Sequence, residues 1–248
     1  MPNFFIKKSQ IEKDKIKIGG ELLKHLRDSL RIQQGEKVIC IDEDGNQYTV
    51  VVTSAGKDQL AGDIVKRVER GQGPAVSIHI AQAIPKGPKL DLIIQKSTEL
   101  GVNTITPILS GRTIVRIEKE RVEEKVGRWR RIALEAAQQS NRLDVPEVAP
   151  PIPLADFLSS FRKADLNLLL WEGEKRHGIK KVLKDAHEAK SIVILIGPEG
   201  GFSDSEVEMA VASGFTPVSL GELILRTETA PIAVLSILQY ELGGIHFS

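Results

Sequence analysis

The sequence predicts an α/β chain in two parts: a small β-rich unit over residues 1–70, then a larger unit over 74–248 built on a mostly parallel sheet. From residue 75 onward, apolar runs of strand length alternate with stretches of helical periodicity, the pattern of repeated strand–helix–strand crossovers. The run Ile192-Val-Ile-Leu-Ile196 is unbroken, rich in β-branched residues and too short to span a membrane, so it reads as a strand buried on both faces. Before residue 70, by contrast, short runs flank Asp44-Gly45, a strong hairpin signal.

In the first unit, residues 21–31 place Leu22, Leu23, Leu26 and Leu30 on one helical face, with His25 at its surface. Strands follow at 37–42, 47–53 and 60–68. One helix among short strands suggests a small barrel of the sort used for RNA docking, or an accessory domain that only stabilises the chain. Glycines and a proline place the linker at 69–74. The second unit then reads as strand 76–83, helix 90–100, strand 104–109, long helix 118–140, short helix 154–161, strand 166–171 and helix 179–188. After strand 192–196, Ser203 and Glu206 form a capping-box pattern that opens a helix. A strand at 217–220, a loop, and a helix from 229 to 242 complete the chain, with Pro231 in the last helix's first turn and Thr227 or Thr229 as its cap.

Composition sets mild bounds. The 248 residues are 41% hydrophobic, enough for an ordinary core, and the net charge of +1 points to no partner by itself. The single cysteine, Cys40, lies in an apolar strand and reads as a small buried hydrophobe; no Cys/His cluster has metal spacing, so no metal is expected. No signal peptide and no run of ~18 apolar residues is present, so the expected setting is cytoplasmic, away from membranes.

Three stretches carry chemistry. Gly197-Pro-Glu-Gly-Gly-Phe-Ser203 is a small-residue turn at the carboxyl end of a buried strand, where open α/β sheets bind ligands, although a plain turn would look the same. It lacks the Gly-x-Gly-x-x-Gly and Gly-Lys-Ser/Thr phosphate patterns, and Glu199 would repel a phosphate, so a ligand there is neutral or cationic. Lys86 and Lys89 sit at another strand exit and share a sheet edge with it.

The second stretch is the start of the long helix. Arg112, Arg116, Lys119, Arg121, Lys125, Arg128, Arg130 and Arg131 outnumber Glu118, Glu120, Glu123 and Glu124, which marks either a solvated face or a phosphate-binding one. At the far end, Gln138, Gln139, Asn141 and Arg142 offer polar forks that could read RNA or cap the helix. The third stretch, Leu220-Gly-Glu-Leu-Ile-Leu-Arg-Thr-Glu-Thr-Ala230, is an apolar loop that something must cover. Arg226 and Glu228 project from it as a mutual ion pair or as a reacting centre.

These stretches, with Lys96-Ser-Thr-Glu-Leu-Gly101 and Glu135-Ala-Ala-Gln-Gln-Ser-Asn-Arg142, resemble the small-subunit (16S) ribosomal RNA uracil-N3 methyltransferases, the RsmE family of the SPOUT superfamily, over nearly the whole chain. The resemblance implies a PUA-like RNA-binding domain at 1–70 and a SPOUT domain at 74–248 whose chain end threads a deep trefoil knot. It implies S-adenosylmethionine as cofactor, held by Leu170, Trp171, Ile196, Gly197, Pro198, Glu199, Gly200, Gly201, Leu220, Gly221, Ile224, Leu225, Arg226 and Ala230. The sulfonium would lie near Glu199.

The reaction implied is methylation of N3 of a uridine near the decoding centre, by a homodimer whose cofactor pocket lies against the partner subunit. Arg226 is the candidate for stabilising the uracil anion, and Glu228 or a water for the base. Candidate contacts to ribosomal RNA or the small subunit are Arg27, Arg31, Lys86, Arg112, Arg116, Gln139 and Arg142. The alternatives are a SPOUT enzyme acting on another RNA, such as transfer RNA, and a non-catalytic RNA-binding assembly factor. The motif pair argues against the first, and the intact glycines against the second.

Overall fold

A computed structural model of the chain describes residues 3–71, 76–115 and 118–243. Contacts divide it into two compact units, Met1–Gly73 with Ala137–Asp144, and Pro74–Ala136 with Val145–Ser248.

The N-terminal unit holds β1 (Asn3–Phe5), β2 (Ile11–Glu12), β3 (Lys15–Ile18), α1 (Gly20–Lys24), β4 (Lys37–Ile41), β5 (Gln47–Ala55) and β6 (Leu60–Val68). Its six-stranded sheet runs β1-β4-β5-β6-β3-β2, antiparallel except for β1 beside β4. Of these strands β1 and β2 are too short to leave a pattern in sequence, while the alternation Lys15-Ile-Lys-Ile18 of β3 is a strand signal that the expected elements leave out. The hairpin at Asp44-Gly45 is present, with Gly45 at φ +84°. Asp42 fastens it by accepting from the Asp44 and Asn46 amides, both at 2.9 Å, and from the Tyr48 hydroxyl at 2.8 Å. Cys40 is fully buried, and burial pushes its thiol up to about 12, which keeps it an inert thiol.

The helix expected over 21–31 is shorter. It passes from α1 into a π turn at His25–Ser29, and Arg31 takes a left-handed backbone, φ +52°. The Ile32 amide then bonds the Leu26 carbonyl at 3.1 Å, the bond that closes a helix after a left-handed residue. Leu30 is thrown outward and Ile32 takes its place in the core.

The second unit holds β7 (Ser77–Ala83), α2 (Lys89–Glu99), β8 (Thr104–Leu109), α3 (Val122–Gln139), β9 (Glu147–Val148), β10 (Ile152–Pro153), α4 (Leu154–Ser160), β11 (Leu166–Leu170), α5 (Ile179–Asp185), β12 (Ser191–Ile196), α6 (Asp204–Ala212), β13 (Thr216–Val218) and α7 (Thr229–Leu238). The last residues of α3 belong to the N-terminal unit. All strands are parallel, in the order β10-β8-β7-β12-β11-β13, with β9 also on β8. The buried run divides with a period of two: Ile192, Ile194 and Ile196 enter a core with α2, α3, α5 and α7, while Val193 and Leu195 enter another with α4 and α6. The strand is thus covered on both faces, as its composition predicts.

Helix ends differ from expectation: α5 stops at Asp185, three residues short of 188, and two further ends show their cause in hydrogen bonding. α3 stops at Gln139 because Asn141 turns left-handed (φ +57°) and the Arg142 amide bonds the Ala137 carbonyl at 3.0 Å, so this polar end is a backbone cap. α7 has Glu228 at its cap position with no side-chain cap, because the Thr227 hydroxyl is engaged elsewhere, and its last turn runs on as a π turn, Gln239–Gly243.

Candidate functional site

The loops that leave β11, β12 and β13 at their carboxyl ends, with Lys89 and Ala230, line a cavity of about 520 Å³. Parallel neighbours deliver all three loops to one end of the sheet, which is why segments distant in the chain meet.

The glycine turn after β12 is held from every side. Thr227 Oγ1 donates to the Gly197 carbonyl at 2.7 Å, and Gln82 Nε2, fully buried in β7, donates to Thr227 Oγ1 at 3.2 Å and to the Ala83 carbonyl at 2.9 Å. Glu199 accepts the Lys86 amide at 3.1 Å and the Lys89 ammonium at 2.9 Å. Partial burial raises the Glu199 carboxyl, but the bond from Lys89 leads a set of opposing contacts that hold it below its ordinary value. Arg112 Nη1 donates to the Gly200 carbonyl at 2.7 Å. Gly201 has φ +64°, so the backbone there requires glycine, while a Cβ would have to push aside the exposed, movable carboxylate of Glu172. Ser203 and Glu206 then open α6 through the expected capping box, the Ser203 amide reaching Glu206 Oε2 at 2.8 Å.

The loop after β13 is fastened mainly at its ends. The Ser219 amide bonds the His177 carbonyl at 2.9 Å, and Leu220 and Leu225 pack partly on the core. The His177 turn is itself set by Glu174, whose carboxyl falls to about 2 because it accepts the Arg176 amide and then the His177 amide and faces the His177 imidazole. Between those ends Leu223 is 82% and Ile224 84% exposed, so the expected cover of this loop does not come from the described part of its own chain.

Of the fourteen predicted cofactor-binding residues, Leu170, Trp171, Ile196, Gly197, Pro198, Glu199, Gly201, Leu220, Gly221, Ile224, Leu225, Arg226 and Ala230 line the cavity; Gly200 instead lies against Arg112. Lys89, Glu172 and Thr227 line it as well and were not foreseen. Arg226 is exposed, and its side chain has no bonding partner among the described residues. Arg226 and Glu228 do not pair with each other. Glu228 is absent from the lining and sits behind it, 16% exposed, with Oε2 3.4 Å from Lys89 Nζ. The predicted place of Glu199 beside a ligand cation is likewise taken by Lys89.

The candidate RNA contacts are divided between the two units. Arg27, Arg31, Gln139 and Arg142 belong to the N-terminal unit, and Lys86 and Arg112 to the other. Arg27 is committed to Asp28 and the Lys57 carbonyl, while Arg31 and Gln139 are exposed. Arg142 is only 11% exposed and grips Asp144 Oδ1 at 2.7 Å, while Arg70 holds Oδ2 at 2.7 Å, so Arg142 braces its own unit instead of reaching out. Burial raises the Asp144 carboxyl, and the two guanidiniums override it and hold it low. Arg116 lies outside the described residues.

Residues 72–239 match the family pattern described as RNA methyltransferase domain, and residues 18–65 match that of the RNA methyltransferase PUA domain. The chain is 32% identical to ribosomal RNA small subunit methyltransferase E of Bacillus subtilis (strain 168), over 97% of both chains. It is 34% identical to the protein of that name from Aquifex aeolicus, over 87% of this chain and 90% of the other. Among solved structures, a ribosomal RNA small subunit methyltransferase E from Neisseria gonorrhoeae bound to S-adenosyl methionine superposes with a TM-score of 0.89 at 30% identity, over 99% of this chain and 100% of that one. A Legionella pneumophila methyltransferase in complex with the same cofactor superposes with a TM-score of 0.88 at 33% identity, over 98% of each.

Proposed function

The chain belongs to the ribosomal RNA small subunit methyltransferase E family, and on that premise we propose that its large cavity holds S-adenosylmethionine for methylation of N3 of a uridine in 16S ribosomal RNA, near the decoding centre. The carrying observation is the convergence of three strand-end loops on one cavity of about 520 Å³, inside the roughly 300–1,000 Å³ of small-molecule sites. The lining suits this ligand. Leu170, Ile196, Leu220, Leu225 and Ala230 offer apolar wall for an adenosine, and the carboxylates of Glu172 and Glu222, neither of them paired with Lys89 as Glu199 is, favour a cation over a phosphate.

The cofactor supplies an electrophilic methyl group; the chain's residues must make the uracil nitrogen nucleophilic. That nitrogen carries an imide proton at neutral pH, and charge spreads onto the flanking carbonyl oxygens as the proton leaves. Arg226, unpaired at the cavity, is placed to donate to such an oxygen with a planar fork. Glu228 lies outside the cavity lining, beside Lys89, so a water at the cavity serves as the proton acceptor. The target atom lies on the Watson–Crick edge, so the uridine enters unpaired.

Exposed Leu223 and Ile224 on the cavity wall support a homodimer in which a second copy covers this loop. Leu223→Asp should release folded monomers in sedimentation, and an unchanged dimer would place the interface elsewhere. Calorimetry with S-adenosylmethionine and S-adenosylhomocysteine, then radiolabelled methyl transfer to small-subunit RNA and to assembled subunits with nucleoside analysis, tests the reaction. The expected product is 3-methyluridine. Another methylated nucleoside would overturn the N3 assignment, and failure to bind either ligand would overturn the cofactor site.

A further inference from the structure

A second cavity among the described residues, of about 240 Å³, shares a partition with the first. Residues 84–91 form that partition: Lys89 faces the large cavity, while Pro85, Pro88 and Asp91 face the small one. Its remaining walls include Val115, Trp129, Lys125 and Arg128.

We propose that this small cavity receives the base of an unpaired nucleotide in the substrate RNA, next to the nucleotide presented to the large cavity. The proposal rests on the large cavity being the methyl-transfer site. The volume is below the roughly 300–1,000 Å³ typical of drug-sized ligands, which leaves room for one base and excludes a second whole cofactor. Pro85, Pro88 and Val115 make an apolar wall with the edge of the largely buried Trp129 indole at its floor, a surface against which any base can stack, so the site grips without reading sequence. Lys125 and Arg128 stand on one face of α3 with Trp129, giving the apolar walls a cationic rim, the combination a nucleotide with its base and phosphate requires and an apolar side chain does not. Asp91 orients Arg128 through an ion pair yet leaves that side chain 66% exposed, open to a backbone phosphate. A uridine drawn out of its stack leaves its neighbour unstacked as well. A stacking site one partition away offsets that loss and fixes the register of the strand.

The chain has two tryptophans, Trp129 and Trp171, one in each cavity, so each site has its own fluorophore. In Trp171→Phe protein, a mixed-sequence single-stranded RNA octamer should quench Trp129 saturably. Val115→Phe in that background, which fills the cavity, should remove the quenching and weaken binding by about tenfold or more, the scale of one stacked base. Lys125→Ala, a surface change without risk to folding, should lower the log–log salt slope of RNA affinity by about 0.7. RNA that binds by anisotropy without altering Trp129 emission, or binding indifferent to both substitutions, would overturn the proposal. In Trp129→Phe protein, S-adenosylmethionine should change Trp171 emission; failure of that response would instead sink the methyl-donor reading of the large cavity.

Discussion

The two loops that line the large cavity are built in opposite ways. The glycine turn after β12 is tied by Gln82, Thr227, Lys86, Lys89 and Arg112, all from other segments of the second unit. The apolar loop after β13 carries Leu223 and Ile224 almost fully exposed and Gly221 with nothing near its Cβ position. One wall is therefore set before any ligand arrives, and the other still has surface to bury. Preorganisation in the first keeps the ordering cost of binding low, while the second keeps Arg226 free of competing partners until substrate meets it.

The largest effect expected from this contrast is at Arg226. Arg226→Lys keeps the charge and loses the fork, so single-turnover methylation with saturating cofactor and RNA should fall on the order of a hundredfold. Raising the pH should rescue it in part, because hydroxide then populates the uracil anion. Parallel pH profiles for the two proteins would leave Arg226 without a catalytic part.

Glycine substitutions sharpen the contrast between rigid and yielding walls. Gly201→Val displaces Glu172 and strains a left-handed residue by about 1–2 kcal/mol, so calorimetry should find both a lower melting temperature and a loss of cofactor affinity of about tenfold or more. Gly221→Val meets strain at φ +136° but open space, so the exposed loop should adjust with a smaller loss and little change in melting. Equal penalties at the two sites would erase the distinction.

Smaller again is the change at the tie beneath the turn. Thr227→Val keeps the shape but leaves the Gly197 carbonyl with only the long 3.4 Å contact to Gln82, at a cost of about 1–3 kcal/mol of stability by denaturant titration. An unchanged midpoint would mean that water replaces the hydroxyl.

The smallest effect is with pH. The Glu199 carboxyl is held below its ordinary value of 4.5, so its contribution is fully present above that value and is lost as the pH falls through the lower folded value. Melting temperatures from about pH 6 down to about pH 3 should fall less steeply in Glu199→Gln than in the native chain. Superimposable curves would show that Lys89 does not stabilise the fold through Glu199.

The same contrast marks what could be read in the sequence. The glycine turn was legible because a buried β-branched run, a cluster of glycines and a capping box are local patterns, and its kinship with Lys86 and Lys89 followed from strands sharing one sheet edge. Its ties were not. Gln82 in an apolar strand and Thr227 before a helix carry no signal of a meeting 145 residues apart. Arg142 looked free because Arg70, which shares Asp144 with it, lies 74 residues from that carboxylate. The π turn at His25–Ser29 escaped for a different reason: Leu23 and Leu26 keep their helical spacing in both geometries, and only Leu30 registers the shift.

The order of strands also bears on how the chain is made. β7 and β8 can pair as soon as both leave the ribosome, but the other edge of β7 belongs to β12, which begins at Ser191, more than a hundred residues after β7 ends at Ala83. At roughly 5–20 residues per second, that apolar edge stays open for several seconds of every round of translation. During that interval its free amides and carbonyls are a template for any neighbouring nascent chain. Slowing elongation between α2 and β12 should therefore raise the aggregated fraction of the newly made protein, even though the finished sheet buries that edge completely.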